Sequence, residues 1–373
     1  MTCSPRALLP LPAALLVLLG GCQSRPAAVT SPHSVDADRV EALLRSEMRK
    51  RRIPGLQVAI VRQGALVLSG AYGIANLQDS IPVTPQSVFG VNSITKAFVG
   101  VAVMQLAEEG KLDVDAPVSR YLDGLPAPWR PVRIRQLLNH TSGLPNIMSD
   151  DGKLAADGAG DTAWVKVQTM PMEFAPGARF AYNQTGYVVL GKIIDKLAGR
   201  PFTQFITERQ FRVVGMPATE RSGFSDSHDV IPHHARGYTT LRRDDVTNVF
   251  EEFPPYLRTA AGLSSTAEEM AKWIVALQRG KLLTKAGSLE TLWTPATVPA
   301  GSAAGFSELL NGYALGFPIV GRREHRAVAA VGGARSALFI YPDDDLAVVV
   351  LTNLQGAFPE SFIDEVARLA RGE

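Results

Sequence analysis

The sequence predicts an α+β fold: one antiparallel sheet built from both termini and flanked by helices, with a mostly helical region inserted between its two halves. Three observations predict it. Strand-like apolar runs occur in two widely separated pairs, one within residues 56–73 and one within 336–353. Helical spacing brackets these pairs at both ends of the chain. The stretch between them, roughly 75–260, reads as helices joined by long Pro- and Gly-rich loops. Strands from both ends with helices between them are satisfied by a single sheet that the termini complete together.

Each element has its own signal. In "DADRVEALLRSEMRKRR" (36–52), Val40, Leu43, Leu44 and Met48 recur at helical spacing. "LQVAIVRQG" (56–64) and "ALVLSGAYG" (65–73) follow as a close-coupled hairpin. From Ser93 the chain again reads as a helix, with Phe98, Val101, Val103, Met104 and Leu106 apolar and Gly110 placed to end it. "SALFIYP" and "LAVVVLTN" flank Asp343-Asp344-Asp345 as a second hairpin, and a last helix runs from about Pro359 to Arg371. No internal repeat is apparent.

The beginning of the chain reads differently. Arg6 and the apolar run Ala7 to Leu19 have the form of a secretory signal over residues 1–21. The run is short for a membrane span. Leu19-Gly20-Gly21-Cys22 resembles the lipobox of bacterial lipoproteins, in which Cys22 would be lipidated; ordinary signal cleavage near the same glycines is the alternative. The expected location is the bacterial envelope, on the periplasmic side, with a lipid anchor at Cys22. Residues 22–35, rich in Pro, Ser and Ala, form a tether that holds the 36–373 domain on the order of 20 Å from the anchor. The other cysteine, Cys3, falls within the signal, so the mature chain forms no internal disulfide. It must rest on its core, and 46% hydrophobic content supplies one. A net charge of +2 gives no reason to expect a nucleic-acid partner.

The chemistry concentrates in "GVNSITKAFVG" (90–100). Residues three apart on a helix share a face, so Lys96 can reach the Ser93 hydroxyl. The helix N-terminus favours negative charge developing at the serine, and an apolar helix desolvates the lysine toward its neutral, basic form. Taken alone, the pair also fits a surface lysine and a capping serine. Its context decides between these. Residues 84–121, "IRQLLNHTSGLP" (134–145) and "FAYNQTGYVVLGKIIDKLAG" (180–199) together resemble the serine β-lactamase-like family, and the likeness runs from about residue 36 to 371. That family includes class C β-lactamases, D-Ala-D-Ala carboxypeptidases, D-aminopeptidases and esterases.

The resemblance implies a β-lactamase/transpeptidase-like fold in which Ser93 is the nucleophile, Lys96 its base and Tyr182 the group that moves the proton. Gln184 stands where the family's Tyr-x-Asn motif has its amide, one methylene longer, and Asn183 could turn in instead. The third motif departs from the pattern. Where the family carries Lys-Thr-Gly or His-x-Gly, this chain offers Ala330-Val331-Gly332 or Val331-Gly332-Gly333. The glycines suit close approach of backbone to ligand, and an N–H of Gly333 or Ala334 would pair with that of Ser93 as an oxyanion hole. The cation that grips a carboxylate is missing, with Arg335 or His325 as the possible substitutes.

The implied activity is hydrolysis of an ester or amide through an acyl-enzyme, by an esterase or D-amino-acid peptidase in preference to an efficient β-lactamase. The alternative is a sensor or binding module of the penicillin-binding fold with little turnover. Partners would be a small ester, peptide or β-lactam-like substrate. No metal or organic cofactor is implied. No G-x-S-x-G elbow is present. "NHTSGLP" reads as a structural turn, and "SHDVIPHH" (227–234), with His228, Asp229, His233 and His234, reads as a solvent loop rather than a metal site.

Overall fold

A computed structural model describes residue 1 and residues 35–149, 152–156, 161–241 and 245–373. The expected signal, most of the tether and the lipidation site at Cys22 lie outside the described residues. Val35–Glu373 forms one compact unit.

Its centre is an eight-stranded sheet. The strands are β1 (Gly55–Arg62), β2 (Ala65–Asn76), β3 (Ile81–Pro82), β4 (Gly312–Tyr313), β5 (Pro318–Val320), β6 (Ala327–Gly332), β7 (Ser336–Tyr341) and β8 (Leu346–Thr352), in the order β3-β2-β1-β8-β7-β6-β5-β4. Every pairing is antiparallel. The two ends of the chain meet at the middle, where β1 lies beside β8 with Leu56 opposite Thr352 and Val58 opposite Val350. The first hairpin turns through Gln63 and Gly64, both at positive φ, which is the two-residue turn whose twist matches the strands.

Both faces of the sheet are covered, and the pleat shares its residues between two cores. Along β8, Leu346, Val348 and Val350 face one cluster and Ala347, Val349 and Leu351 the other. This explains why "LAVVVLT" lacks polar alternation. The first cluster packs under α1 (Ala37–Arg51) and α5 (Ile363–Arg371). The second lies beneath α2 (Thr95–Glu108), α3 (Thr185–Ala198) and α4 (Ala267–Gln278). Every residue of α2 from Thr95 to Gln105, and Leu106 after it, is buried. A helix apolar on all sides belongs in the interior, and the lysine it carries goes there with it. Gly110, at φ +72, closes α2 as expected, its N–H donating to Ala107 and that of Lys111 to Leu106.

The sheet is wider than the two predicted hairpins. Strands β3 to β6 were not expected, because β3, β4 and β5 are only two or three residues long and "AVAAVG" lacks β-branched density. Among the described residues no helix is long and apolar enough to cross a membrane.

Candidate active site

Ser93 lies in a 3-10 turn, Asn92–Ile94, that feeds directly into α2. The turn is fixed from several sides. The Val91 N–H donates to Leu263, and the Thr95 hydroxyl donates to the Asn92 carbonyl while accepting N–H bonds from Gly262 and Leu263. Asn92 has φ +47, a left-handed conformation uncommon outside glycine. Among the described residues no acceptor takes the Ser93 N–H.

Lys96 sits one helical turn on and is fully buried. Its Nζ is 3.1 Å from Ser93 Oγ and donates to the Ala260 carbonyl at 2.7 Å. The amine lies over the rings of Tyr182 at 4.7 Å and Tyr187 at 5.1 Å. Burial holds its pKa well below the ordinary lysine value. A neutral amine next to a serine hydroxyl can accept that proton, and the Ala260 carbonyl fixes its lone pair's direction.

Tyr182 arrives from the segment before α3. Burial raises its phenol pKa, only partly offset by hydrogen bonding from Ser93 and Gln184, so the group is a proton donor at neutral pH. Its ring rests on His140 at 4.3 Å and on Phe306 at 4.9 Å. His140, buried at φ +59, accepts the Asn183 N–H on Nδ1 and has its pKa driven well down by burial and by Lys96. It is the floor under Tyr182. The sequence marked "NHTSGLP" as a structural turn, and nothing local in it reveals that the turn ends beneath the tyrosine.

The two amides after Tyr182 separate cleanly. Asn183 is corrected from a substrate-binding candidate to a structural residue. Its Nδ2 donates to Leu144 at 2.7 Å and its Oδ1 accepts the Gly186 N–H at 2.9 Å, capping the start of α3. Gln184 is held through its backbone N–H by Asn146 Oδ1 at 2.9 Å, and its side-chain Oε1 is buried with no partner among the described residues. Its amide oxygen, beside Tyr182, remains available.

The third segment meets the serine where β6 ends. A side-chain carbon on Gly332 would fall 2.0 Å from the Val91 carbonyl oxygen and 2.9 Å from the Ser93 nitrogen, and one on Gly333 would fall 2.8 Å from the Asn92 amide carbon. The turn that follows, Gly333 at φ +56 and Ala334 at φ +52, closes through the Arg335 N–H to the Gly332 carbonyl at 3.0 Å. Ala330 and Gly332 point to the α2 face of the sheet while Val331 points to the opposite core, so the motif's register is Ala330-Val331-Gly332. The position expected to hold a cation is a buried alanine. Neither suggested substitute stands there. His325 precedes β6 at its far end, bonded to Asp344 at 2.8 Å, and the Arg335 guanidinium pairs with Glu251 at 3.1 Å. Among the described residues no group of three or more His, Cys, Asp or Glu is arranged to hold a metal.

Comparison with known proteins now settles the family. The family described as Beta-lactamase matches residues 40–372. The chain belongs to that family. Among curated relatives, the chain is 26% identical over 243 residues to Protein flp of Staphylococcus aureus (strain MW2), covering 63% of this chain and 48% of that protein. It is 31% identical over 237 residues to the putative penicillin-binding protein PbpX of Bacillus subtilis (strain 168), covering 63% and 58%. The chain thus spans about half the length of the curated relatives it matches. Among solved structures, the octameric penicillin-binding protein homologue from Pyrococcus abyssi superposes with TM-score 0.73 at 27% identity, covering 89% of this chain and 76% of that one.

Proposed function

We propose that this β-lactamase-family chain is an exported serine hydrolase that cleaves an ester or amide through an acyl-enzyme on Ser93. One observation carries the reading: a fully buried Lys96, 3.1 Å from Ser93 Oγ, with its pKa held down by burial. Lys96 removes the hydroxyl proton as Oγ attacks the carbonyl carbon. The oxyanion is held by the Ser93 N–H and an N–H of the Gly333–Ala334 turn. Tyr182 passes a proton to the leaving group, whose bond to the carbonyl carbon then breaks. Water hydrolyses the acyl ester in the second half-reaction, and its proton returns along the same pair.

The substrate class follows from what the third motif lacks. Ala330 offers no charge to a substrate carboxylate, and Arg335 is paired elsewhere. This supports a neutral ester or an amide, and disfavours efficient β-lactam hydrolysis. Gln184, with its unpartnered amide oxygen, is the side chain we assign to the substrate. Residues 1–22 support export and lipid anchoring at Cys22, which the mass of the N-terminal peptide from a bacterial membrane fraction would test.

The activity test is intact-mass spectrometry after a fluorophosphonate probe, beside Ser93→Ala. A single adduct that disappears in the variant supports the hydrolase, and a panel of neutral esters, D-amino-acid amides and β-lactams then ranks substrates. A folded protein with no adduct would instead identify a binding module.

A further inference from the structure

The nucleophile turn and the β6–β7 hairpin come from parts of the chain more than 230 residues apart, yet the oxyanion hole needs an N–H from each, held to a fraction of an ångström. One side chain touches both. Asn92 Nδ2 donates to Glu251 Oε1 at 2.9 Å, and Arg335 Nη2 donates to the same oxygen at 3.1 Å. We propose that Glu251 is a positioning residue that clamps the two halves of the oxyanion hole together; the proposal rests on the acyl-enzyme reading above.

Each donor sits at a sensitive place. Asn92 precedes Ser93 in the left-handed region, so its conformation sets where the Ser93 N–H points, and the bond from its side chain to Glu251 holds that conformation. Arg335, 5% exposed, follows the Gly333–Ala334 turn, and its own N–H closes that turn. Glu251 is itself anchored through its backbone: its N–H donates to Ser227 Oγ at 2.7 Å, and its carbonyl accepts the Ser227 N–H at 2.9 Å. The two bonds that its carboxylate accepts, from Asn92 and Arg335, are charge-assisted, and such bonds are the strong ones.

Among the described residues no second carboxylate is ready to replace it. A small cavity of about 50 Å³ lies behind Asn92, lined by Glu251 and one other acid, Asp226. Asp226 already accepts the His228 and Phe253 N–H groups and faces Arg258. Removing Glu251 therefore leaves a buried Arg335 without its counter-charge. Both halves of the hole lose their common reference point, although Glu251 is placed to act on the site only through Asn92 and Arg335.

The test compares the full-length protein with Glu251→Ala and Glu251→Gln at a temperature where circular dichroism shows all three folded. Glu251→Ala should label with fluorophosphonate about 100-fold more slowly, the cost of ångström-scale misplacement, and should lose kcat on a neutral ester while KM moves by less than about threefold. Glu251→Gln, whose amide oxygen still accepts both donors, should recover most of the rate. The double variant Glu251→Ala/Arg335→Met should be no slower than Glu251→Ala. A folded Glu251→Ala that labels at the wild-type rate overturns the clamp, as does a loss confined to KM. If Glu251→Ala does not fold, Arg335→Met takes its place with the same expectation and the same refutation. A wild-type protein that takes no label fails the hydrolase reading itself, which is distinguishable from a labelled wild type whose Glu251 variants match it.

Discussion

Gly332→Ala puts the contact between hairpin and nucleophile under direct strain. The added carbon would lie 2.0 Å from the Val91 carbonyl oxygen and 2.9 Å from the Ser93 nitrogen. A carbon and an oxygen in their closest common contact sit about 3.3 Å apart, so the gap must open by about 1.3 Å. No side chain can swing away, because both obstacles are backbone. Neither side yields easily: β6 is laddered to β5 and β7, and Val91 is bonded to Leu263 at 2.9 Å. The hairpin must retreat from Ser93 and carry its N–H groups with it. Misplacement on this scale costs about 100-fold in rate, or about 2.7 kcal/mol in the barrier, alongside overpacking strain of about 1–3 kcal/mol in stability. The assay is the second-order rate of fluorophosphonate labelling, with kcat/KM on a neutral ester, measured where both proteins are folded. Gly90→Ala is the control, since its added carbon would meet nothing closer than 3.8 Å. A Gly332→Ala protein that acylates within about threefold of wild type would refute a hole shared between the turn and the hairpin.

Other perturbations separate the remaining roles. Lys96→Met should lower acylation by the hundred- to ten-thousand-fold that general-base help typically contributes. It should also raise Tm near neutral pH. Burial depresses the lysine pKa in the folded state, so between that depressed value and about 10.4 the unfolded chain binds a proton the folded chain lacks. Stability of the wild type therefore rises with pH through this window, and the Tm gap to Lys96→Met should close toward its upper end; a gap independent of pH would count against a desolvated lysine. Tyr182→Phe keeps the ring contacts to His140 and Phe306 but removes the proton donor, so kcat should fall about 100-fold with Tm nearly unchanged. Asn183→Ala should lower stability by about 1–2 kcal/mol, the typical loss of a capping side chain, as read by urea denaturation. Gln184→Ala should do the reverse, leaving the urea midpoint in place and lowering kcat/KM.

What the sequence revealed depended on how local the determining forces were. The outer helices, both hairpins and α2 were legible because each carries its own period of burial, and Ser93 with Lys96 because three residues on one helix fix a shared face. Asn183 and Gln184 were not separable by pattern: both are amides of similar chemistry, and only the contacts of Leu144 and Gly186 show which one caps α3. The register of the third motif was ambiguous for a related reason. Two adjacent glycines satisfy the pattern, and the pleat that selects Gly332 is set by pairing to β7. Glu251, Ala260 and His140 were not legible as site residues, because they come to Asn92 and Arg335, to Lys96 and to Tyr182 across loops whose course no local periodicity encodes.

The meeting of β1 with β8 at the middle of the sheet sets an order of events for the newborn chain. Nearly three hundred residues separate Val58 from Val350, so the loop between them must close before that central seam exists. Pairings this distant are slow to form and leave strand edges open meanwhile. During synthesis β1 is made early, with apolar faces and an unpaired backbone edge on the side that β8 will occupy. Growth from the amino end cannot complete the sheet; its last central strand is also nearly its last segment. A chain stopped short of Leu346 would have lost the strand that joins its two halves, and would accumulate as aggregate rather than as a weakened hydrolase.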